Sequence, residues 1–336
     1  MRTKRLSMAD IPEAAALLRK GELVAFPTET VYGLGADACN ADAVRAVFAA
    51  KGRPADNPLI VHIAETAQIG SVAREVPPIA LRLAEAFWPG PLTMVLPKRD
   101  CIPEVTSGGL DTVGIRLPAH PAARTLIREA GCPVAAPSAN RSGRPSPTTA
   151  RHVLDDMDGR IAAVLDGGQC EVGVESTVIC FDDPETIHVL RPGLICAEEL
   201  LPYAGAVYVD PAVFEQAAPD AKVASPGMKY KHYAPRARIL PVEADSFDGY
   251  AAYVRAHADA HTWCLLFDTD PEVPGIPCMR YGDDGARQAH DLFCRFRELD
   301  AAGAVTVYVR CPSSQGRSLG VYNRLMRAAG FEVIHL

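Results

Sequence analysis

The chain has 336 residues and a formal net charge of -7, with 48% apolar and 22% charged side chains, a composition that excludes a disordered protein and disfavours a nonspecific nucleic-acid binder. Its longest stretch without a charged side chain, Ala86–Pro97, holds twelve residues and three prolines, too few for a membrane-spanning helix of about 20. The length suggests two domains.

In chain order, Ile11–Lys20 reads as a helix with Asp10 at its N-cap and Gly21 as its stop, followed by a short buried strand over Glu22–Phe26. Asn40 can cap a helix over Ala41–Ala50 that ends before Gly52 and Pro54. Strands are predicted at Pro58–Ile63, Leu92–Leu96, Val113–Leu117, Val134–Ala136, Ile161–Leu165, Thr177–Phe181 and Ile187–Leu190, and helices at Ile79–Phe87, Ala122–Ala130 and Ala150–Asp156. This mixture lacks strict alternation and predicts an α/β unit built on a twisted mixed sheet. The last hundred residues do alternate. Strands at Ile239–Val242, Trp263–Phe267, Val305–Val309 and Phe331–Ile334 are separated by helices at Asp248–Ala258, Ala286–Asp300 and Ser318–Ala329. That order predicts a smaller, Rossmann-like parallel α/β unit. The expected division is 1–205 for the first unit, 206–237 for a linker without clear periodicity, and 238–336 for the second.

Basic residues Arg2, Lys4 and Arg5 are followed by Asp10 and Glu13 rather than an apolar run, so no secretory signal is expected and the cytoplasm is favoured. None of the ten cysteines is spaced as C-x-x-C, and free buried thiols are expected. Residues 1–205 carry 20 basic and 25 acidic side chains, a balance of -5. One local exception stands out: the 22 residues between Asp220 and Glu243 hold no acid and five bases, Lys222, Lys229, Lys231, Arg236 and Arg238.

A P-loop, a complete G-x-G-x-x-G and a G-x-S-x-G elbow are all missing from the sequence. His257 and His261 stand at i, i+4 without a third recognisable ligand. What remains is a series of polar clusters at element ends. Pro27–Gly35 places hydroxyls and glycines after a buried strand, which suits either a capped turn or close approach to a small ligand. Lys51-Gly52-Arg53-Pro54, followed by Asn57, either complements a helix C-terminus or cradles a polyphosphate. His62 is a core residue or a site residue according to its phase with Ile60. Arg116, in the apolar run after Thr112, needs an anion: a structural carboxylate or a ligand. Ala136–Gly143, running on to Ser146, reads as a surface loop or a hydrogen-bonding cradle. Glu175-Ser176-Thr177 and Arg191-Pro192-Gly193 are turn-like. Ser225–Pro235 is aromatic and basic, unlike a flexible linker.

Taken together and in this order, Pro27–Gly35, Lys51–Pro54, Pro137-Ser138-Ala139-Asn140, Glu175-Ser176-Thr177 and Arg191-Pro192-Gly193 resemble the YrdC/YciO-like family of threonylcarbamoyl-AMP synthases. The Ser225–Pro235 segment and the alternating C-terminal unit are similar to its long, two-domain branch. The resemblance implies a YrdC-like domain with a concave cleft. It also implies a reaction that condenses L-threonine, bicarbonate and ATP to threonylcarbamoyl-AMP and pyrophosphate. The product would pass to a tRNA-modifying threonylcarbamoyl transferase complex that makes t6A at position 37 of tRNA. By the same resemblance, Thr30, His62, Arg116, Ala136 and Ser176 would bind threonine. Arg53, Asn57, Thr112, Ser138, Asn140, Ser146, Arg191 and Tyr230 would bind ATP, with His232 a further linker candidate. Lys51 and Arg53 would neutralise charge on the phosphates. No acidic metal cage is visible, so Mg²⁺ is expected to arrive with the nucleotide. Two rival readings are a double-stranded RNA-binding module, disfavoured by the acidic first unit, and a carbamoyl-transfer maturation enzyme, disfavoured by the lack of C-x-x-C.

Overall fold

The computed structural model describes residues 2–55, 57–215 and 233–336. Tyr230, His232, Lys222, Lys229 and Lys231 lie outside the described residues.

Among the described residues, sixteen strands form two sheets. The first is built from β1 (Lys4–Leu6), β2 (Val24–Phe26), β3 (Gly33–Asp37), β4 (Ile60–His62), β5 (Leu92–Pro97), β6 (Thr112–Arg116), β7 (Val134–Ala135), β8 (Ala163–Leu165), β9 (Thr177–Asp183), β10 (Thr186–Arg191) and β11 (Ala206–Val209). Its order is β1-β8-β2-β3-β7-β4-β6-β5-β9-β10-β11. Parallel pairs such as β4 with β6 occur beside antiparallel ones such as β5 with β6, so the sheet is mixed as the unordered element pattern predicted. Alternation along β2 sends Ala25 to one apolar cluster and Val24 and Phe26 to another, so helices cover both faces. The helix Ala41–Lys51 and the helix Pro78–Phe87 pack on the first face, and the helices Ile11–Arg19 and Pro121–Ala130 on the second.

The second sheet contains β12 (Arg238–Glu243), β13 (Thr262–Leu266), β14 (Cys278–Arg280), β15 (Thr306–Arg310) and β16 (Ile334–His335), in the order β14-β13-β15-β12-β16. Every pairing in it is parallel. The helices Phe247–His257, Gly285–Ala301 and Leu319–Ala329 connect its strands.

Four strands escape the sequence reading. β3 contains Gly33 and Gly35, which depress strand propensity. A Cβ on Gly35 would come within 2.9 Å of the Phe26 ring and 3.0 Å of the Val24 carbonyl, so the glycine allows β3 to lie flat against β2. β1 and β14 are three residues each and carry few apolar side chains. β11 falls in the stretch read as irregular linker, yet pairs in parallel with β10, carrying the first sheet past the expected boundary at 205. All ten cysteines are free thiols.

The two units meet along a tight seam. A Cβ on Gly320 would lie 2.9 Å from the Gly193 carbonyl, and one on Gly173 would lie 2.4 Å from the carbonyl of Ala289. Only glycine allows backbones to approach so closely.

Candidate active site

Each motif reaches the site through a local structural reason. Asn40 caps its helix by accepting from the Asp42 and Ala43 amides, and Gly52 ends it in the left-handed region at φ 64°. This sharp stop leaves Lys51 as the last helical residue, and both Lys51 and Arg53 line one cavity. Parallel pairing of β4 with β6 sets His62 opposite Arg116. Ile60 and His62 share a phase, and both line that cavity. The cavity leaves about 70 Å³ open to a water-sized sphere, so its polar walls stand close together.

Of the residues named from the sequence, Thr30, Lys51, Arg53, His62, Arg116, Ala136, Ser138, Asn140, Ser176 and Arg191 line this cavity. Ser146 stands just behind it, fully buried, and donates to the Glu175 carboxylate in the wall. Asn57 is fully buried outside the lining, and its amide oxygen and nitrogen have no hydrogen-bond partner among the described residues. Thr112 opens β6 while Arg116 closes it, and lines a separate recess with Val95 and Cys180. Tyr230 lies outside the described residues, but Tyr233 is in the lining.

At one end of the cavity, Arg116 Nη1 donates to Thr30 Oγ1 at 2.8 Å, and Thr30 Oγ1 is 2.8 Å from Thr28 Oγ1. Arg116 Nη2 lies 2.7 Å from Glu29 Oε1 without the alignment of a hydrogen bond, and both side chains are 5% exposed. Glu29 uses its other oxygen to accept from the Ala119 amide at 3.0 Å. The structural carboxylate considered for Arg116 is therefore present, and the guanidinium still faces the cavity. Burial, and then the charge of Arg116, push the His62 imidazole down to about 3, so it is neutral at physiological pH. His62 Nδ1 has no hydrogen-bond partner among the described residues.

At the other end, Lys51 Nζ donates to the Ser138 carbonyl at 2.5 Å and the Asn140 carbonyl at 2.7 Å. Burial, reinforced by Arg53, drives its pKa well below the usual lysine range. Lys51 thus fixes the Pro137–Asn140 loop as well as facing the cavity. Ser138 Oγ donates to Asn140 Oδ1 at 2.6 Å, and Asn140 Nδ2 donates to the Arg144 carbonyl at 2.7 Å, so the cradle is held by its own side chains. Arg191 Nε and Nη2 grip the Ser176 carbonyl at 3.1 and 3.0 Å, and Nη2 reaches Ser176 Oγ at 3.2 Å. Burial lowers the Arg191 pKa to about 10, which leaves it a cation.

The wall offers one carboxylate, Glu175, among its described residues. Ser146 and Arg324 occupy its two oxygens. That donor set does not fit a protein-held Mg²⁺, which favours oxygen-rich octahedral surroundings. The described group whose His, Cys and carboxylate atoms could share an ion, Cys180, Asp182 and His188, lies outside the lining.

Sequence reasoning missed Arg324, Arg297 and the role of Glu175. Arg324 follows Gly320 by four residues and Val321 by three, on the buried face of its helix, and a charged residue at that phase was the available signal.

The family model described as "Telomere recombination", covering the Sua5, YciO and YrdC group, matches residues 16–193. A second, described as "Threonylcarbamoyl-AMP synthase, C-terminal domain", matches residues 195–330. The chain is 43% identical over 340 residues to the threonylcarbamoyl-AMP synthase of Pyrococcus abyssi, spanning 98% of this chain and 97% of that one. It is 44% identical over 342 residues to that of Bacillus subtilis, spanning 99% and 97%. A shorter relative from Mycobacterium tuberculosis, named a putative threonylcarbamoyl-AMP synthase, is 37% identical over 58% of this chain and 89% of its own. The crystal structure of P. abyssi Sua5 complexed with L-threonine matches with a TM-score of 0.92 at 40% identity, covering 100% of both chains. Motifs, two-sheet architecture and near-complete similarity agree: the chain belongs to the two-domain branch of the threonylcarbamoyl-AMP synthase family.

Proposed function

We propose that this protein condenses L-threonine, bicarbonate and ATP into threonylcarbamoyl-AMP and pyrophosphate. The observation that carries this reading is one cavity lined by two chemically distinct groups of side chains. Arg116, Thr30 and neutral His62 form one; Lys51, Arg53, Arg191 and the Ser138–Asn140 cradle form the other.

Arg116 pairs with the substrate carboxylate, and Thr30, His62, Ser176 and the backbone at Ala136 hold the amine and hydroxyl. The neutral imidazole accepts a hydrogen bond where an imidazolium would repel an ammonium. The threonine amine adds to the carbon of bicarbonate, losing water to give a carbamate. A carbamate oxygen then attacks the α-phosphorus and pyrophosphate leaves. Neither step needs a covalent protein nucleophile, in keeping with the missing elbow motif. The residues act by positioning and by offsetting charge. Arg53 and Arg191 face the phosphates, with Ser138 and Asn140 around the nucleotide, while Lys51 holds that loop from the cavity side. Asn57, Thr112, Ser146 and Tyr230 complete the ATP set carried over from the family. Mg²⁺ enters as part of the nucleotide substrate. The adenylate then passes to a tRNA-modifying threonylcarbamoyl transferase complex in the cytoplasm. Residues up to 215 form the catalytic unit in this reading, and 238–336 close it from behind.

The test is pyrophosphate release with ATP, bicarbonate and L-threonine, compared with L-serine and with no amino acid. Release should require threonine. Lys51→Ala and Arg53→Ala should each slow it by about tenfold or more. Release independent of the amino acid would sink the synthase reading.

A further inference from the structure

The cavity proposed to bind a polyanion contains a buried acid. Glu175 is 7% exposed and lines the wall beside Ser176 and Arg191. An uncompensated carboxylate there would repel phosphate and would itself be costly to bury. Compensation comes from the other sheet. Arg324, on the helix Leu319–Ala329, is 0% exposed and reaches across the seam. Its Nε donates to Glu175 Oε2 at 2.7 Å, and its Nη2 to the Glu175 carbonyl at 3.3 Å. Nη1 donates to the Pro192 carbonyl at 2.9 Å, directly after Arg191. The guanidinium also lies 5.6 Å from the ring centre of Tyr233, another cavity residue. Burial pushes the Glu175 carboxyl up, but Arg324 and then Arg191 bring it below the usual range.

A second arginine of the C-terminal unit supports the same corner. Arg297 Nη2 donates to the Pro145 carbonyl at 2.6 Å and to Asp156 Oδ2 at 2.8 Å. Pro145 precedes Ser146, whose hydroxyl holds the other oxygen of Glu175. Both oxygens of the acid are therefore fixed by groups that the C-terminal unit supplies or steadies. The Gly320–Gly193 approach keeps the arginine's helix against the loop that follows Arg191.

We propose that Arg324 is a positioning residue of the nucleotide site: by neutralising and fixing Glu175, it makes the cavity wall acceptable to the ATP polyphosphate, so the C-terminal domain completes the charge balance of a site it does not line. This rests on the nucleotide-binding reading above. It assigns the C-terminal unit a larger electrostatic part in ATP affinity than in threonine affinity, because the carboxylate of threonine is met by Arg116 rather than by the corner that Glu175 occupies.

The experiment measures ATP and L-threonine binding separately by calorimetry on the full chain. Arg324→Gln should weaken ATP by about tenfold or more and leave threonine within about twofold. The double variant Glu175→Gln with Arg324→Gln removes acid and base together and should restore ATP affinity to within about threefold of the starting protein. An unchanged ATP affinity in Arg324→Gln overturns the proposal, as does a double variant no better than the single one, since a purely structural role gives no rescue. Arg317→Ala removes an exposed pair of the same seam, Arg317 Nη2 with Glu199 at 2.6 Å, and should leave both affinities within about twofold. If Arg324→Gln does not fold, Glu175→Gln alone decides: retained ATP affinity supports the proposal and a tenfold loss overturns it. Loss of threonine-dependent pyrophosphate release in the unmodified protein would remove the synthase reading while leaving the ATP-binding comparison intact.

Discussion

The two sheets each carry a polar recess, and only one has the marks of a site. In the second sheet the recess lies beyond the ends of β12 and β15, lined by Glu243, Asp245, Arg310, Cys311, Ser313, Ser314 and His335. That is where doubly wound folds usually bind ligands. Its Arg310, Glu243 and His335, however, are answered within the fold. Arg310 Nε pairs with Asp270 at 3.2 Å and its guanidinium lies over the rings of Phe247, Tyr250 and Phe267. Glu243 meets His335 at 3.0 Å and the Tyr322 hydroxyl at 3.4 Å. In the first sheet, His62 Nδ1 is buried in the cavity wall and has no hydrogen-bond partner among the described residues, while Arg116 Nη2 and Glu29 Oε1 answer each other as an ion pair at 2.7 Å. Polar character and fold position are shared; residual hydrogen-bonding capacity in a buried wall is what separates them.

The largest expected effect breaks the comparison at its strongest point. Arg116→Gln should lower the kcat/KM for threonine by about a hundredfold or more, because in the proposed reading it removes the charge that meets the substrate carboxylate. Steady-state pyrophosphate release checks this, and a variant within tenfold of the parent would put the threonine end elsewhere.

A smaller effect concerns stability. The folded-state pKa of His62, about 3, lies below an unfolded value of about 6.5. Between those values the unfolded chain holds the extra proton. The stabilisation is therefore complete above about pH 6.5 and is lost as pH falls toward 3. His152, lowered to about 4 by burial and by Arg297, contributes with the same sign. Urea midpoints should drop from pH 7 to pH 4, and His62→Gln should flatten that slope by on the order of 1 kcal/mol per pH unit. Equal slopes in the two proteins would show that His62 titrates normally.

The smallest effect lies in the second recess. Ser314→Ala should change kcat and both KM values by less than about twofold, the usual scale for surface substitutions. A larger change would make that recess part of the function.

Helices were legible because their signals are local. The Asn40 cap and Gly52 stop, and the Ser246 side chain accepting from the Gly249 amide, belong to short segments. The all-parallel second sheet followed from simple alternation. β3 was not legible, because its glycines serve contacts with Phe26 and Val24 that appear only once the chain folds. The same limit applies to the site. Lys51, His62, Arg116 and Arg191 stand in short motifs. The Lys51 bonds to Ser138 and Asn140 span 87 and 89 residues, and that from Arg324 to Glu175 spans 149. Nothing in either local sequence specifies its partner. The Glu29 carboxylate beside Arg116 was considered as a type of partner, and the structure supplied its identity.

The reach of Arg324 into the wall bears on modularity. The M. tuberculosis relative spans 58% of this chain, so the family includes proteins shorter than this one. Here, trimming the polypeptide after the first sheet would leave one oxygen of Glu175 without its Arg324 partner, and open backbone at Gly193. A compact descendant of this lineage would have to replace that acid or find a new counter-ion for it before it could dispense with its second half.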